Sequence, residues 1–359
     1  MVSADIAPKE RFVVLDGMRG LAALVVITDH VASPVLMNLL PGRYLAVDFF
    51  FVLSGFVLAH VYGERLKSGL SFNGFMHIRL VRLYPLYLVG AALGGILALI
   101  YALRGWADYS AATVIASSLV ALTMLPCPPG LSLWPNAPYP LNGPSWSLFF
   151  ELFVNAIFAA TARWLTPRFC LVFMAIAGVL LVPTAFGFGQ LDGGFAWDNF
   201  IAGFPRVVFG FFTGVFIYQT RPYERVRALP AWVAYVALLL VFMAPATGIW
   251  RAAYDLLAAL LLFPALVTLC ANSHASGALN WLSATIGALS YGVYILHVPL
   301  WGWFTIAIAR FQLDLPGIVN VAIVAVVALL AAAVLDQIYD RPVRKMLSRK
   351  RPAASATGS

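Results

Sequence analysis

Residues 21–33 read LAALVVITDHVAS, placing Asp29 and His30 inside the first long apolar run. An ionisable group there is costly and faces a cavity or a partner. Histidine is also the commonest general base; the competing reading is an imidazole that hydrogen-bonds a neighbouring helix. With 16–30 helical, Arg19 falls about 20° and Asp16 about 40° from His30 around the axis, about 16 and 21 Å away along it. One helix face therefore carries a polar line. Asp29 points about 100° away from His30 and takes no role. Arg79 and Arg82 stand at i and i+3, on one face of a helix. Their forks suit bidentate binding of oxyanions, and basic anchoring at a membrane edge is the alternative. Glu151 lies near the start of another apolar run, one turn after Ser147. A carboxylate there is paired or protonated, and a structural pair with Arg206 is one reading.

The elements that position these groups must be membrane helices. The chain has 359 residues, 62% hydrophobic and 11% charged, with mean hydropathy +0.88. Soluble domains carry about 25% charged residues, so this much apolar surface does not fit a water-soluble core. The net charge of +8 sits between apolar runs and at both ends, a topology signal rather than a nucleic-acid surface. Cys127, Cys170 and Cys270 show no metal-ligand or disulfide spacing, and no metal site is expected. The first apolar run lacks a small-residue cleavage site and reads as a retained helix.

Eleven apolar segments occur, near 13–36, 44–62, 84–103, 112–126, 146–165, 168–186, 200–219, 229–246, 253–271, 284–308 and 316–338. Both ends are basic: Lys9, Arg11 and Arg19 at one, Arg341, Arg344, Lys345, Arg349, Lys350 and Arg351 at the other. The positive-inside rule puts both in the cytoplasm, so one segment should not cross. The shortest, 112–126, runs into Pro126, Pro128 and Pro129 and reads as re-entrant or interfacial. The expected architecture is an all-α polytopic bundle of about ten transmembrane helices plus that short segment. Trp146 reads as an interfacial aromatic. His60 lies at a helix end, and His77 and His274 in loops, all at the surface. For His297, deep in 284–308, packing or pore lining weighs equally with catalysis. Gly42, Gly55 and Gly74 suit close helix approach or turns.

LDGMRGLAALVVITDH (15–30) resembles the opening motif of the acyltransferase 3 family of integral membrane acyltransferases. Four further stretches match in order: VDFFFVLSGFVL (47–58), RLVRLYP (79–85), PSWSLFFELF (144–153) and SYGVYILHVP (290–299). Asp29 is charged where an uncharged residue is expected, and Asp340 in YDRP replaces a more usual glutamate. The resemblance covers 11–345, leaving 346–359 as a disordered cytoplasmic tail. It implies transfer of an acyl group, acetyl expected, from acyl-CoA to a hydroxyl on a glycan, a lipid-linked acceptor or a small natural product. His30 is then the catalytic residue, and the paired arginines are essential. The chemistry agrees: an alcohol is a poor nucleophile at pH 7, so an imidazole takes its proton as it attacks the thioester. Glu151 would orient His30 or stabilise its cation, and Arg79, Arg82 and Arg19 would bind the donor. The implied location is the bacterial inner membrane, both termini cytoplasmic. The rival from another class is a secondary transporter, since buried charges at Asp29, Glu151 and Arg206 also suit a substrate pathway. It should show an internal repeat with interrupted helices, and none is visible. An inactive scaffold would not need His30, both arginines and Glu151.

Overall fold

The computed structural model describes residues 12–348. Lys9, Arg11, Arg349, Lys350, Arg351 and residues 349–359 of the expected tail lie outside the described residues. Among the described residues there are helices and no strands. In order they are α1 (Val13–His30), α2 (Pro34–Leu39), α3 (Ala46–Lys67), α4 (Phe72–Arg104), α5 (Ala111–Ala121), α6 (Trp146–Thr161) and α7 (Pro167–Phe188). There follow α8 (Gly203–Thr220), α9 (Ala231–Met243), α10 (Ile249–Leu257), α11 (Phe263–Cys270), α12 (Gly277–Phe311), α13 (Gly317–Leu335) and α14 (Arg341–Ser348). Wide turns at 258–262 and 336–340 join α10 to α11 and α13 to α14.

Local chemistry sets the boundaries. Ser71, Ser110 and Thr166 cap their helices by accepting from Gly74, Thr113 and Phe169 N–H groups. The first apolar run, expected over 13–36, breaks after His30: Ser33 is extended before Pro34, which opens α2. His77, expected in a loop, lies within α4.

Seven helices among the described residues are long and apolar enough to cross a membrane: Arg43–Lys67, Phe72–Arg104, Pro167–Phe188, Phe200–Thr220, Ile249–Cys270, Gly277–Phe311 and Gly317–Ser348. The other three of the expected ten correspond to α1, α6 and α9. These have 18, 16 and 13 residues, and α1 carries Asp16, Arg19 and Asp29. The protein is a multi-pass membrane protein. The 11-residue α5 rises only about 16 Å, half of a bilayer's apolar thickness of about 30 Å. After Met124 the chain folds back on it: Ser117 donates to Leu131 O (2.6 Å), and Cys127 N–H donates to Pro138 O (2.7 Å).

The most apolar stretches of α3 and α8 are 72% buried, those of α7 and α13 only 22%. The former pair is central and the latter faces the surroundings. Two seams of parallel helices hold the bundle. In the first, Gly17 of α1 meets Ser283 of α12, Gly20 meets Ile286, and Gly287 meets Asp16. In the second, Gly55 of α3 meets Phe211 of α8, and Gly214 meets Val52. Between membrane helices the gain comes from packing, and small residues permit close approach.

A Cβ on Gly55 would stand 1.8 Å from Phe211 O, whereas one on Gly63 of the same helix meets nothing within 4 Å. Gly55→Ala should therefore lower stability by about 3 kcal/mol or more through overpacking. Gly63→Ala should raise it by up to about 1 kcal/mol through helix propensity. Thermal unfolding of both purified variants checks the opposite signs.

Candidate active site

A cavity of about 260 Å³ opens between α1, α3, α4, α6 and α12. Its polar lining is Arg19, Ser54, Arg79, Arg82, Ser147, Glu151, Ser290, Tyr291 and Tyr294, with leucine, valine and phenylalanine between them. Each guanidinium is held differently. Arg19 donates to Ser290 Oγ (3.0 Å) and Gly287 O (2.8 Å) and pairs with Asp16 (2.9 Å). Arg79 donates to Glu151 (3.0 Å), and both side chains are 13% exposed. Arg82 stands 3.6 Å from Asp340 and 5.6 Å from the Tyr291 ring centre. Ser54 also donates to Glu151 (2.5 Å). The carboxylate thus fixes Arg79 on the cavity wall.

A second hollow of about 450 Å³ shares Val57, Leu58, Arg79 and Arg82 with the first, so the two adjoin at these side chains. Its far wall is α14, which adds Arg341, Arg344 and Lys345. Arg341 and Arg344 pair with Asp336, and Arg344 also pairs with Asp340 at 2.9 Å. Positive charge therefore exceeds negative at this mouth.

His30 does not line the cavity. It ends α1, about 16 Å beyond Arg19 along the axis. Its ring is exposed, and its Nδ1 lies 3.2 Å from both Val26 O and Nε2 of the fully buried His297. On the cavity wall the Tyr294 ring centre lies 6.1 Å from that of His297, and Phe50 lies 5.6 Å from Tyr294. Asp29 pairs with Arg43 at 2.8 Å, clear of the imidazole.

Arg206, 2% exposed, is anchored elsewhere. Its Nε and an Nη donate to the two Asp48 oxygens (3.0 and 2.7 Å), and its other Nη donates to Gly193 O. It also lies over the ring of Trp146, which is 7% exposed rather than interfacial. Nearby, Asp255 pairs with Arg251 and accepts from Tyr44 (2.6 Å) and Leu191 N–H (2.8 Å). In the loop between α7 and α8, burial pushes the Asp192 carboxyl up to about 6, with Arg206 opposing the shift.

A family model described as an acyltransferase domain, of the acyltransferase 3 type, matches residues 12–336. The chain belongs to the acyltransferase 3 family. Protein 2 of the picA locus of Rhizobium radiobacter is 39% identical over 188 residues, covering 50% of the chain and 97% of that protein. The acyltransferase MdmB of Streptomyces mycarofaciens is 26% identical over 395 aligned positions, covering 95% of the chain and 94% of that protein. No solved structure matches.

In this acyltransferase, four of the five residues singled out from sequence meet in one cavity: Arg19, Arg79, Arg82 and Glu151. The fifth, His30, stands apart, and the expected Glu151–His30 contact is replaced by Glu151–Arg79 and His30–His297. The Glu151–Arg206 pair is likewise replaced by Asp48–Arg206. Ser54, Ser290 and Tyr294, each inside a matched stretch, also line the cavity, though sequence alone gives them no chemical role. The α14 cations, a topology signal in the sequence, line the second hollow. His60 is half-buried beside the Tyr218 hydroxyl (3.3 Å), while His77 and His274 are exposed. The three cysteines are free and buried, and no metal-holding cluster occurs among the described residues.

Asp48→Asn leaves a buried guanidinium without its counter-charge and should destabilise the protein by about 3–5 kcal/mol. Replacing both partners with apolar residues, as Asp48→Leu with Arg206→Met, should recover most of that loss. Unfolding of the single and double variants in one detergent checks it.

Proposed function

We propose that the chain moves an acyl group, acetyl expected, from acyl-CoA to the hydroxyl of a glycan, a lipid-linked acceptor or a small natural product. The observation that carries this reading is the cavity wall. Every residue lining it falls in one of the five matched stretches, and three of them are arginines. Phosphate-bearing donors are recognised by guanidinium forks, and the hollow with the basic mouth at α14 adjoins the largely apolar cavity at Arg79 and Arg82. The nucleotide of acyl-CoA fits the mouth, and its uncharged arm fits the interior. Arg79 and Arg82 face both hollows, with Arg19 deeper and Glu151 keeping Arg79 in place. A transporter reading has no such feature to support it.

The reaction then runs at the other end of α1. A hydroxyl at His30 gives its proton to the ring and attacks the thioester carbonyl. Carbon–sulfur cleavage follows, and the proton passes to the departing thiolate. On this reading the basic mouth faces the cytoplasm with both termini, ten helices cross the bacterial inner membrane, and α5 dips without crossing. The exposed ring of His30 is then open to an acceptor from the opposite side.

Purified protein given acyl-labelled acetyl-CoA and sugar acceptors should consume thioester and label the acceptor; absence of both with correctly folded protein removes the proposal. His30→Ala should lower turnover by about 10²–10⁴-fold while donor affinity stays within twofold. Arg82→Gln should instead weaken donor binding about tenfold, about 1.4 kcal/mol, measured by titration with a non-hydrolysable acyl-CoA analogue.

A further inference from the structure

We propose that His297 is a positioning residue that sets the tautomer and aim of His30, an inference that rests on His30 being the base. His297 is fully buried in α12, and its Nδ1 lies 3.2 Å from Val293 O, one turn earlier. A carbonyl only accepts, so the hydrogen of His297 sits on Nδ1 and its lone pair on Nε2. That Nε2 lies 3.2 Å from Nδ1 of His30, which also lies 3.2 Å from Val26 O. Both neighbours of His30 Nδ1 are therefore acceptors. The single hydrogen of neutral His30 belongs on Nδ1, shared between them. The opposite tautomer would face three lone pairs at one point with no hydrogen among them.

The consequence is chemical. With its hydrogen on Nδ1, His30 presents a bare lone pair at Nε2, the atom that makes no hydrogen bond among the described residues. That atom takes the hydroxyl proton as the new carbon–oxygen bond forms. The resulting imidazolium makes a charge-assisted hydrogen bond to neutral His297, and the proton then leaves from Nε2 to the thiolate sulfur. His297 ends each cycle as it began. A carboxylate usually fills this third place, but Glu151, expected there, is committed to Arg79, and the acids Asp29 and Asp48 are committed to Arg43 and Arg206. The helices α2 and α13, which also pack on α1, carry no ionisable side chain. The rings lie 4.9 Å apart at 69°, a tilted approach that suits a hydrogen bond rather than face-to-face stacking.

Two substitutions separate positioning from packing. His297→Leu fills the site and removes the acceptor; the side-chain oxygen of His297→Gln reaches the place of Nε2 and can accept. His297→Leu should lower kcat about 10- to 100-fold, as loss of a histidine-orienting partner does, with the acyl-CoA KM unchanged. His297→Gln should recover most of the loss. Nitrogen-15 NMR of histidine-labelled wild-type protein in lipid discs should show His30 protonated at Nδ1, a readout that requires no variant to fold. Equal kcat for the Leu and Gln variants, or His30 protonated at Nε2, overturns the proposal. His30→Ala separates the two readings. If it is inactive while His297→Leu works like wild type, positioning alone fails; if it stays active, the base itself is misassigned and both fall.

Discussion

The parallel seam between α1 and α12 is the constraint on which the rest depends. Lipid is as apolar as the helix surfaces, so association there relies on close packing. Gly17 and Gly20 on one side and Gly287 on the other let the backbones meet where a Cβ would collide. The same register that seats these glycines brings Arg19 to Ser290 and His30 to His297. Slipping one helix by a single residue turns its side chains by about 100° and loses both contacts together. In the Asp-Gly-x-Arg-Gly run, then, the glycines are geometry and the charges are what the geometry delivers.

Charge supplies the second layer of specification. A charge inside an apolar bundle must be matched, and here the matches cross between helices. Asp48 of α3 takes Arg206 of α8, and Glu151 of α6 takes Arg79 of α4. The first pair sits on the seam of Gly55, Gly210 and Gly214, so packing and electrostatics select the same neighbour. The second lies on the cavity wall, where it spends one acid to hold one base facing inward. Arg82, 37% exposed and only loosely paired, retains more of its charge for a ligand.

Much of this was legible in the sequence, for reasons that also mark the limit. Each of the eleven apolar segments contains a helix core, because hydrophobic length is a property of the segment alone. The prolines after 125 announced the fold-back that Ser117 and Cys127 close. The face shared by Arg19 and His30 followed from helical period. What the period cannot supply is the partner helix. Glu151 and Arg79 are 72 positions apart, and His30 and His297 are 267 apart, so nothing local distinguishes these pairs from Glu151–His30 or Glu151–Arg206. Trp146 shows the same limit: an aromatic at a helix start suits a membrane edge, whereas here Arg206 and Gly194 cover it.

The separation along α1 constrains how the proposed reaction is organised. Arg19 and the imidazole belong to one helix, with Arg79 and Arg82 on α4, but His30 does not line the chamber of the arginines, and Tyr294, beside Phe50 on its wall, is the lining ring that approaches His297. These two are not equivalent. The Tyr294 hydroxyl is tied to Ser147 (2.8 Å) and to Pro144 O (3.2 Å), so moving that ring breaks two buried hydrogen bonds, about 1 kcal/mol each. Phe50 is held by packing alone and is only half-buried; turning it costs contacts that an entering apolar arm would replace. In the proposed reaction Phe50 is therefore the side chain that yields, and Tyr294 is the fixed post beside it. On that reading a donor arm passing from Arg79 and Arg82 toward His30 would displace Phe50 before Tyr294, and the seam that keeps His30 against His297 would stay as it is.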